Sequence, residues 1–200
     1  VIIDSEVLGT LPATDFRAGL AEVVKAGVIG SPQLFERLED GQALPRPKAY
    51  ASLPWIIREA VAVKVDVVED DPYERGRRAV LNLGHTFAHA YEVLSDYQLR
   101  HGEAVAMGMV TASRLAVDLG RCPPEVSQRI VALLDHLGLP TAPPAYEAEV
   151  VWEAMTSDKK KQGKRLRFVL PLDIGRVDVF NDVPRQAVLV VLEDGSRLST

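Results

Sequence analysis

The sequence predicts a mainly α-helical domain, multi-helical and carrying one small β-hairpin near its C-terminus. Three observations carry that expectation. Apolar residues recur at three- and four-residue steps through most of the 200 positions, the period of helix faces turned to a core. The breaks between these runs hold Ser, Thr, Pro and Gly where helix caps belong. Beyond the first four residues, strand-like patterning is confined to 167–171 and 177–180, which read as two strands of a hairpin.

Val1-Ile2-Ile3-Asp4 reads as the end of a buried strand without a partner nearby. A lone strand is not stable, so residues 1–12 are read as the end of a preceding α/β domain plus linker, and 13–200 as the helical domain. Thr14 is placed as the N-cap of a first helix on Phe16, Leu20, Val23, Val24, Gly27 and Val28, ending near Gly30. Ser31 caps, and Pro32 opens, a short helix through Leu38. After a turn-rich connector, Ile56, Ala60, Val63 and Val67 mark a helix over 53–69, ended by Asp70-Asp71-Pro72. Asn82-Leu83-Gly84 breaks the next apolar run and starts a helix at His85. A helix over 101–119 follows, with Gly102, Ala104, Ala106, Gly108 and Ala112 suited to close packing and Met107 and Met109 read as core. Pro123-Pro124 opens an amphipathic helix closed by Gly138, whose last turn holds His136 as a capping surface residue rather than a ligand. A Pro-rich link, a short helix over 150–155, a charged loop over 158–164, the hairpin and a final helix over 185–192 complete the chain.

Composition narrows the function. With 47% hydrophobic and 26% charged residues, the chain suits one globular domain with a sizeable core. A net charge of -5 argues against a general nucleic-acid binder. No apolar run reaches membrane-spanning length. The single cysteine, Cys122, has no internal disulfide partner and suits a reducing compartment. A cytoplasmic protein with neither nucleic-acid nor membrane partners is the expectation.

Chemistry concentrates in residues 77–109, which hold three of the four histidines: His85, His89 and His101. His85 and His89 are one helical turn apart on the same face, and His101 opens the next helix. Two imidazoles from adjacent helices plus a carboxylate from elsewhere make the three-ligand set of an open catalytic metal site. Histidines at this spacing also arise by chance, so the setting matters more than the spacing. His85 falls in a first helical turn, where the dipole disfavours imidazolium and favours the neutral, metal-binding form. The same free amides attract anions. Arg77 and Arg78, just upstream, suit a bidentate grip on carboxylate or phosphate. Elsewhere, Glu22 and Lys25 share a face of an otherwise apolar helix, where charged groups need partners if they are to be buried. Lys64 breaks an apolar stretch over 61–68 and reads equally as a lysine whose head reaches water.

The blocks Arg78-x-x-Leu81-Asn82-Leu83-Gly84-His85-Thr86, His89-Ala90 and His101-Gly102-Glu103-Ala104-Val105-Ala106 closely resemble 3-dehydroquinate synthase. The resemblance continues in the stretch 19–25 and in Asp158-Lys159-Lys160, and covers essentially the whole chain in order. It implies a dehydroquinate synthase-like α domain, a Zn2+ (or Co2+) ion held by Glu22, His85 and His101, and substrate contacts from Lys25, Lys64, Arg78, Asn82, His89 and Lys160, with Lys159 as the alternative to Lys160. It further implies a homodimer acting on a small sugar phosphate in the shikimate route to aromatic amino acids. NAD would be bound by an N-terminal domain of the full-length enzyme, since nothing in these residues resembles a Gly-rich dinucleotide loop. The chain by itself is then expected to be inactive. Two positions depart from the family pattern: Ala88 where glycine is common, and Asp15 where glutamate is common. Rival readings are another sugar-phosphate cyclase or a metal-dependent polyol or alcohol dehydrogenase. The cluster of Arg78, Lys64, Lys25 and the lysine run argues against the dehydrogenase, which needs no cradle for phosphate and carboxylate.

Overall fold

A computed structural model describes residues 2–41, 53–73, 76–161 and 166–197, with 158–161 and 196–197 described by backbone alone. A 3-10 segment (Ser5–Thr10) precedes helices α1 (Ala13–Gly30), α2 (Pro32–Glu39) and α3 (Leu53–Asp70). A second 3-10 segment (Arg77–Asn82) leads to α4 (His85–Leu94), α5 (His101–Asp118), α6 (Pro124–His136) and α7 (Ala148–Lys161). Strands β1 (Phe168–Asp173) and β2 (Arg176–Phe180) and helix α8 (Arg185–Arg197) follow.

Helix α5 is the axis of the domain. It is buried almost all round from Gly102 to Ala116, with Met107 and Met109 in the core as expected. A helix apolar on every side needs packing partners on every side, and α1, α4, α6, α8 and β1 supply them. The polar groups enclosed with it are paired. Thr111 donates to the Met107 carbonyl (3.0 Å), so the Tyr91 hydroxyl of α4 is the donor in its 3.0 Å bond to Thr111. Ser113 meets Ser127 of α6 at 2.8 Å. The hairpin is antiparallel, with Phe168 opposite Phe180 and Val169 opposite Val179, and the buried side chains of Phe168, Val169 and Leu170 close one side of the core.

Several boundaries differ from the sequence reading. Residues 2–4 form no strand; Ile2 is 98% exposed, and Asp4 instead caps the first 3-10 segment through the Glu6 N–H. Thr14 lies inside α1, which begins one residue earlier behind Pro12. The charged run expected as a loop continues α7 to Lys161. Lysines in a last turn face the negative end of the helix dipole, which favours that continuation. Ser31, by contrast, caps α2 as expected, accepting from the Leu34 N–H at 3.2 Å. Among the described residues no helix is long and apolar enough to cross a membrane.

Candidate metal centre

Two close backbone approaches build the site. At Gly102 the first turn of α5 lies so near α1 that a Cβ would stand 1.9 Å from the Ala18 carbonyl oxygen. Glu22, one turn further along α1, is thereby brought to His101, the first residue of α5. At the other approach, Gly84 takes the left-handed φ of +80° that ends the 3-10 segment and opens α4. Its carbonyl oxygen lies where a Cβ on Gly108 would be only 2.2 Å away, so α4 starts hard against α5. His85 is its first residue.

The three side chains converge. Glu22 Oε1 lies 4.0 Å from His85 Nε2 and 3.8 Å from His101 Nε2. One donor atom from each residue falls within 4.8 Å of the other two. Glu22 Oε2 accepts from the Lys25 ammonium at 2.6 Å. Although the Glu22 side chain is 43% exposed as a whole, Oε1 itself is shut off from solvent and has no hydrogen-bond partner. A carboxylate oxygen stranded before two imidazole nitrogens is costly unless a cation stands between them. Tetrahedral ligands at zinc stand about 3.4 Å apart, so the observed spacing needs only a small inward movement. Two imidazoles and one carboxylate with room for more ligands is also the donor chemistry of a catalytic zinc, and the residues fit such an ion.

The far side of each ring is tied down. His85 Nδ1 is 3.2 Å from the Leu83 carbonyl oxygen, and His101 Nδ1 is 3.0 Å from Glu92 Oε1. Both acceptors select the Nδ1–H tautomer and leave the Nε2 lone pair to face Glu22. Burial pulls the His85 pKa down to about 4, with the nearby Lys25 charge adding to the effect, so His85 is neutral at physiological pH. Lys25, only 7% exposed, is itself pulled below the usual lysine range by burial, against the raising effect of Glu22. Lys64, exposed on α3, pushes it the same way as burial, so two ammonium groups lie near this end of α1.

Asn82 and His89 are exposed and line, with His85, a cleft of about 1250 Å³. The His89 ring stands edge-on to His85 at 5.6 Å and lies outside the donor cluster. The half-buried Arg78 gives one guanidinium hydrogen bond to the Pro72 carbonyl (3.0 Å). Arg77 corrects the sequence reading: it pairs with Asp66 (2.6 Å) and Asp70 (3.3 Å) and ties the 3-10 segment to α3. Lys160 and its alternative Lys159 have side chains outside those described. His136 is exposed in the last turn of α6, and its Nε2 lies 3.0 Å from the Gly41 carbonyl oxygen, a contact to the segment after α2 rather than a cap on its own helix.

Three residues went unnoticed in the sequence. Arg167 and Asn181, flanking the hairpin, line the same cleft as His89, and no local pattern marks them. Glu92 did carry a signal, since seven residues after His85 is two turns along the same helix face. Of the two departures from the family pattern, Ala88 is fully buried in the core. Asp15 accepts from Arg100 Nε at 3.0 Å, next to His101 in sequence.

Known proteins align with this arrangement. The profile described as 3-dehydroquinate synthase C-terminal matches residues 19–161. A 3-dehydroquinate synthase from a Synechococcus strain is 45% identical over 197 residues, covering 96% of this chain and 54% of the relative. The chain thus spans about half the length of the curated relatives it matches. Among solved structures, 2-epi-5-epi-valiolone synthase from Streptomyces hygroscopicus subsp. jinggangensis, with NAD+ and Zn2+ bound, superposes with a TM-score of 0.87 at 26% identity, covering 98% of this chain and 55% of that one. A 2-deoxy-scyllo-inosose synthase complexed with carbaglucose-6-phosphate, NAD+ and Co2+ gives 0.81 at 25% identity, covering 96% and 54%. The profile match opens on α1 just before Glu22 and closes at Lys161, taking in every expected site residue, and the chain belongs to the 3-dehydroquinate synthase family.

Proposed function

We propose that this chain provides the metal- and substrate-binding part of a 3-dehydroquinate synthase. That enzyme is a phosphate-eliminating carbon–oxygen lyase, cyclising 3-deoxy-D-arabino-heptulosonate 7-phosphate to 3-dehydroquinate in the shikimate route. The observation that carries the reading is the orphaned Glu22 Oε1 facing His85 and His101. A Zn2+ or Co2+ ion held by these three residues would supply Lewis acidity toward a substrate alcohol. Lys25, Asn82 and His89 would cradle the leaving phosphate, and Arg78, Lys64 and Lys160 the carboxylate and remaining oxygens. Elimination of phosphate beside a carbonyl asks little more of the protein than to hold that anion, which suits a cleft rimmed by amide, imidazole and guanidinium groups. These residues include no dinucleotide loop, so NAD would be held by the part of the family's length that this chain does not match. By the same reading, 1–12 joins that part to the helical domain, the assembly is a homodimer, and its compartment is the cytoplasm.

A second reading, a cyclase making another ring, is favoured by the two solved neighbours. The higher identity to 3-dehydroquinate synthases favours the first. The deciding assay supplies the full-length protein with NAD and measures phosphate release from the heptulosonate phosphate, and separately from glucose 6-phosphate, with and without a chelator. Chelator-sensitive release from the heptulosonate alone is the expected result. Release from glucose 6-phosphate instead selects the second reading, and release indifferent to the chelator removes the metal. His101→Ala is expected to abolish metal uptake, while His136→Ala leaves it intact.

A further inference from the structure

Glu92 stands outside the donor trio, yet its side chain is only 15% exposed and its Oε1 lies 3.0 Å from His101 Nδ1. The local backbone fixes where that carboxylate sits. Helix α4 ends in a Schellman closure, with the Tyr97 N–H bonded back to the Glu92 carbonyl (2.8 Å) and the Asp96 N–H to that of Val93 (3.1 Å). The Ser95 hydroxyl gives the Glu92 carbonyl a second bond at 2.9 Å. Asp96 and Tyr97 then take successive left-handed conformations, φ 52° and 57°, which reverse the chain. His101 therefore begins α5 opposite the residue whose own backbone anchors the turn.

The two imidazoles are held by unlike means. The Nδ1 partner of His85 is a main-chain carbonyl, which no substitution removes. His101 is 51% exposed, and the partner of its Nδ1 is a side chain. A neutral imidazole left to itself carries its proton mainly on Nε2, the atom that faces Glu22 here. We propose that Glu92 is a positioning residue, holding His101 in the Nδ1–H tautomer and in the ring orientation that presents the Nε2 lone pair to Glu22 and His85. The proposal rests on reading that trio as a metal centre. A carboxylate behind a ligating imidazole also strengthens it as a donor, and loss of such a partner typically costs about 10–100-fold in metal affinity.

The test strips the protein of metal and titrates it with Co2+, reading visible absorption, and with Zn2+ against a competing chelator. Glu92→Ala is expected to weaken both metals about 10–100-fold and to alter the Co2+ spectrum. Glu92→Gln keeps an accepting oxygen in place and stays within a few-fold of the parent; Glu153→Ala, on the exposed face of α7, changes nothing. In the metal-free proteins, 15N ring spectra of His101 should show Nδ1–H in the parent and in Glu92→Gln, and Nε2–H in Glu92→Ala. Should Glu92→Ala not fold, Glu92→Asp, one methylene short of the ring, gives the same two readouts. Parent-like affinity and tautomer in Glu92→Ala overturn the proposal. A parent that takes up neither metal overturns the metal reading instead, and the ring spectra still decide what Glu92 does.

Discussion

Replacing Gly102 with alanine tests the whole construction of the site with a single methyl group. The new Cβ would sit 1.9 Å from the Ala18 carbonyl oxygen and 2.5 Å from its carbon. Ordinary contact begins near 3.4 Å, so α1 and α5 must part by about 1.5 Å, and because the obstacle is backbone no side chain can swing aside. Overpacking of this kind costs about 3 kcal/mol at its upper range, offset by the roughly 1 kcal/mol that alanine gains over glycine in a helix. A net loss of about 2 kcal/mol lowers Tm by about 4–8 °C in a chain of this size. The effect on the site is larger. Glu22 travels with α1 and His101 with α5, so their 3.8 Å separation opens beyond the roughly 4.2 Å that two bonds to one zinc ion can span. Metal affinity should fall by more than the ~10–100-fold that an outer hydrogen bond is worth. Gly19→Ala is the matched control on α1. A Cβ there meets nothing within 4 Å, so Tm should rise with a gain of about 0.5–1 kcal/mol and metal binding stay unchanged. Calorimetry and Co2+ titration of the two variants settle it. A Gly102→Ala protein that melts and binds metal like the parent would refute the argument that this close approach assembles the site.

Two further expectations concern other parts of the fold. Asp96 occupies the left-handed position of the α4 closure, where glycine carries no Cβ penalty, so Asp96→Gly should stabilise the protein by about 0.5–1 kcal/mol in urea unfolding; a loss would show that the aspartate side chain contributes something the backbone geometry does not. Cys122 is buried, and burial first, then the Asp173 charge, push its thiol up to about 11. Its alkylation by iodoacetamide should stay slow at pH 8 and accelerate toward pH 11. Because the folded thiol keeps its proton above the ordinary value of 9.0, stability falls as pH rises from 9 to 11, and Cys122→Ala should lose less Tm than the parent across that window.

What the sequence could disclose was what is local. Helix periods, the Ser31 cap, the core methionines and the hairpin all follow from spacing and residue type, and the structure has each of them. The same local logic erred where a partner or a terminus decided the outcome. Val1-Ile2-Ile3-Asp4 has strand-forming residues, but residues 2–4 have no neighbouring strand among those described and form none. The lysine run looked like a solvated loop because charge alone does not tell a loop from the last turn of a helix, where the dipole welcomes it.

The site marks the same boundary more sharply. By spacing, the obvious pair is His85 and His89, yet the pair that faces a common carboxylate is His85 and His101, from different helices. One helical turn guarantees that two residues share a face; it does not say which of them a neighbouring helix will meet. That depends on how far α4 and α1 sink against α5, and Gly84, Gly108 and Gly102 set those depths through contacts between segments as far apart in sequence as Ala18 and Gly102. A residue with no side chain leaves no chemical trace of the surface it admits. The family resemblance named Glu22 with His85 and His101 because it records the outcome of such packing without its cause. Glu92 shows the converse: its place on the His85 face was legible, but its bond to His101 exists only because two left-handed residues fold the α4–α5 connection back on itself. A ligand set can be inherited as a motif, whereas the contacts that aim its members have to be found in space.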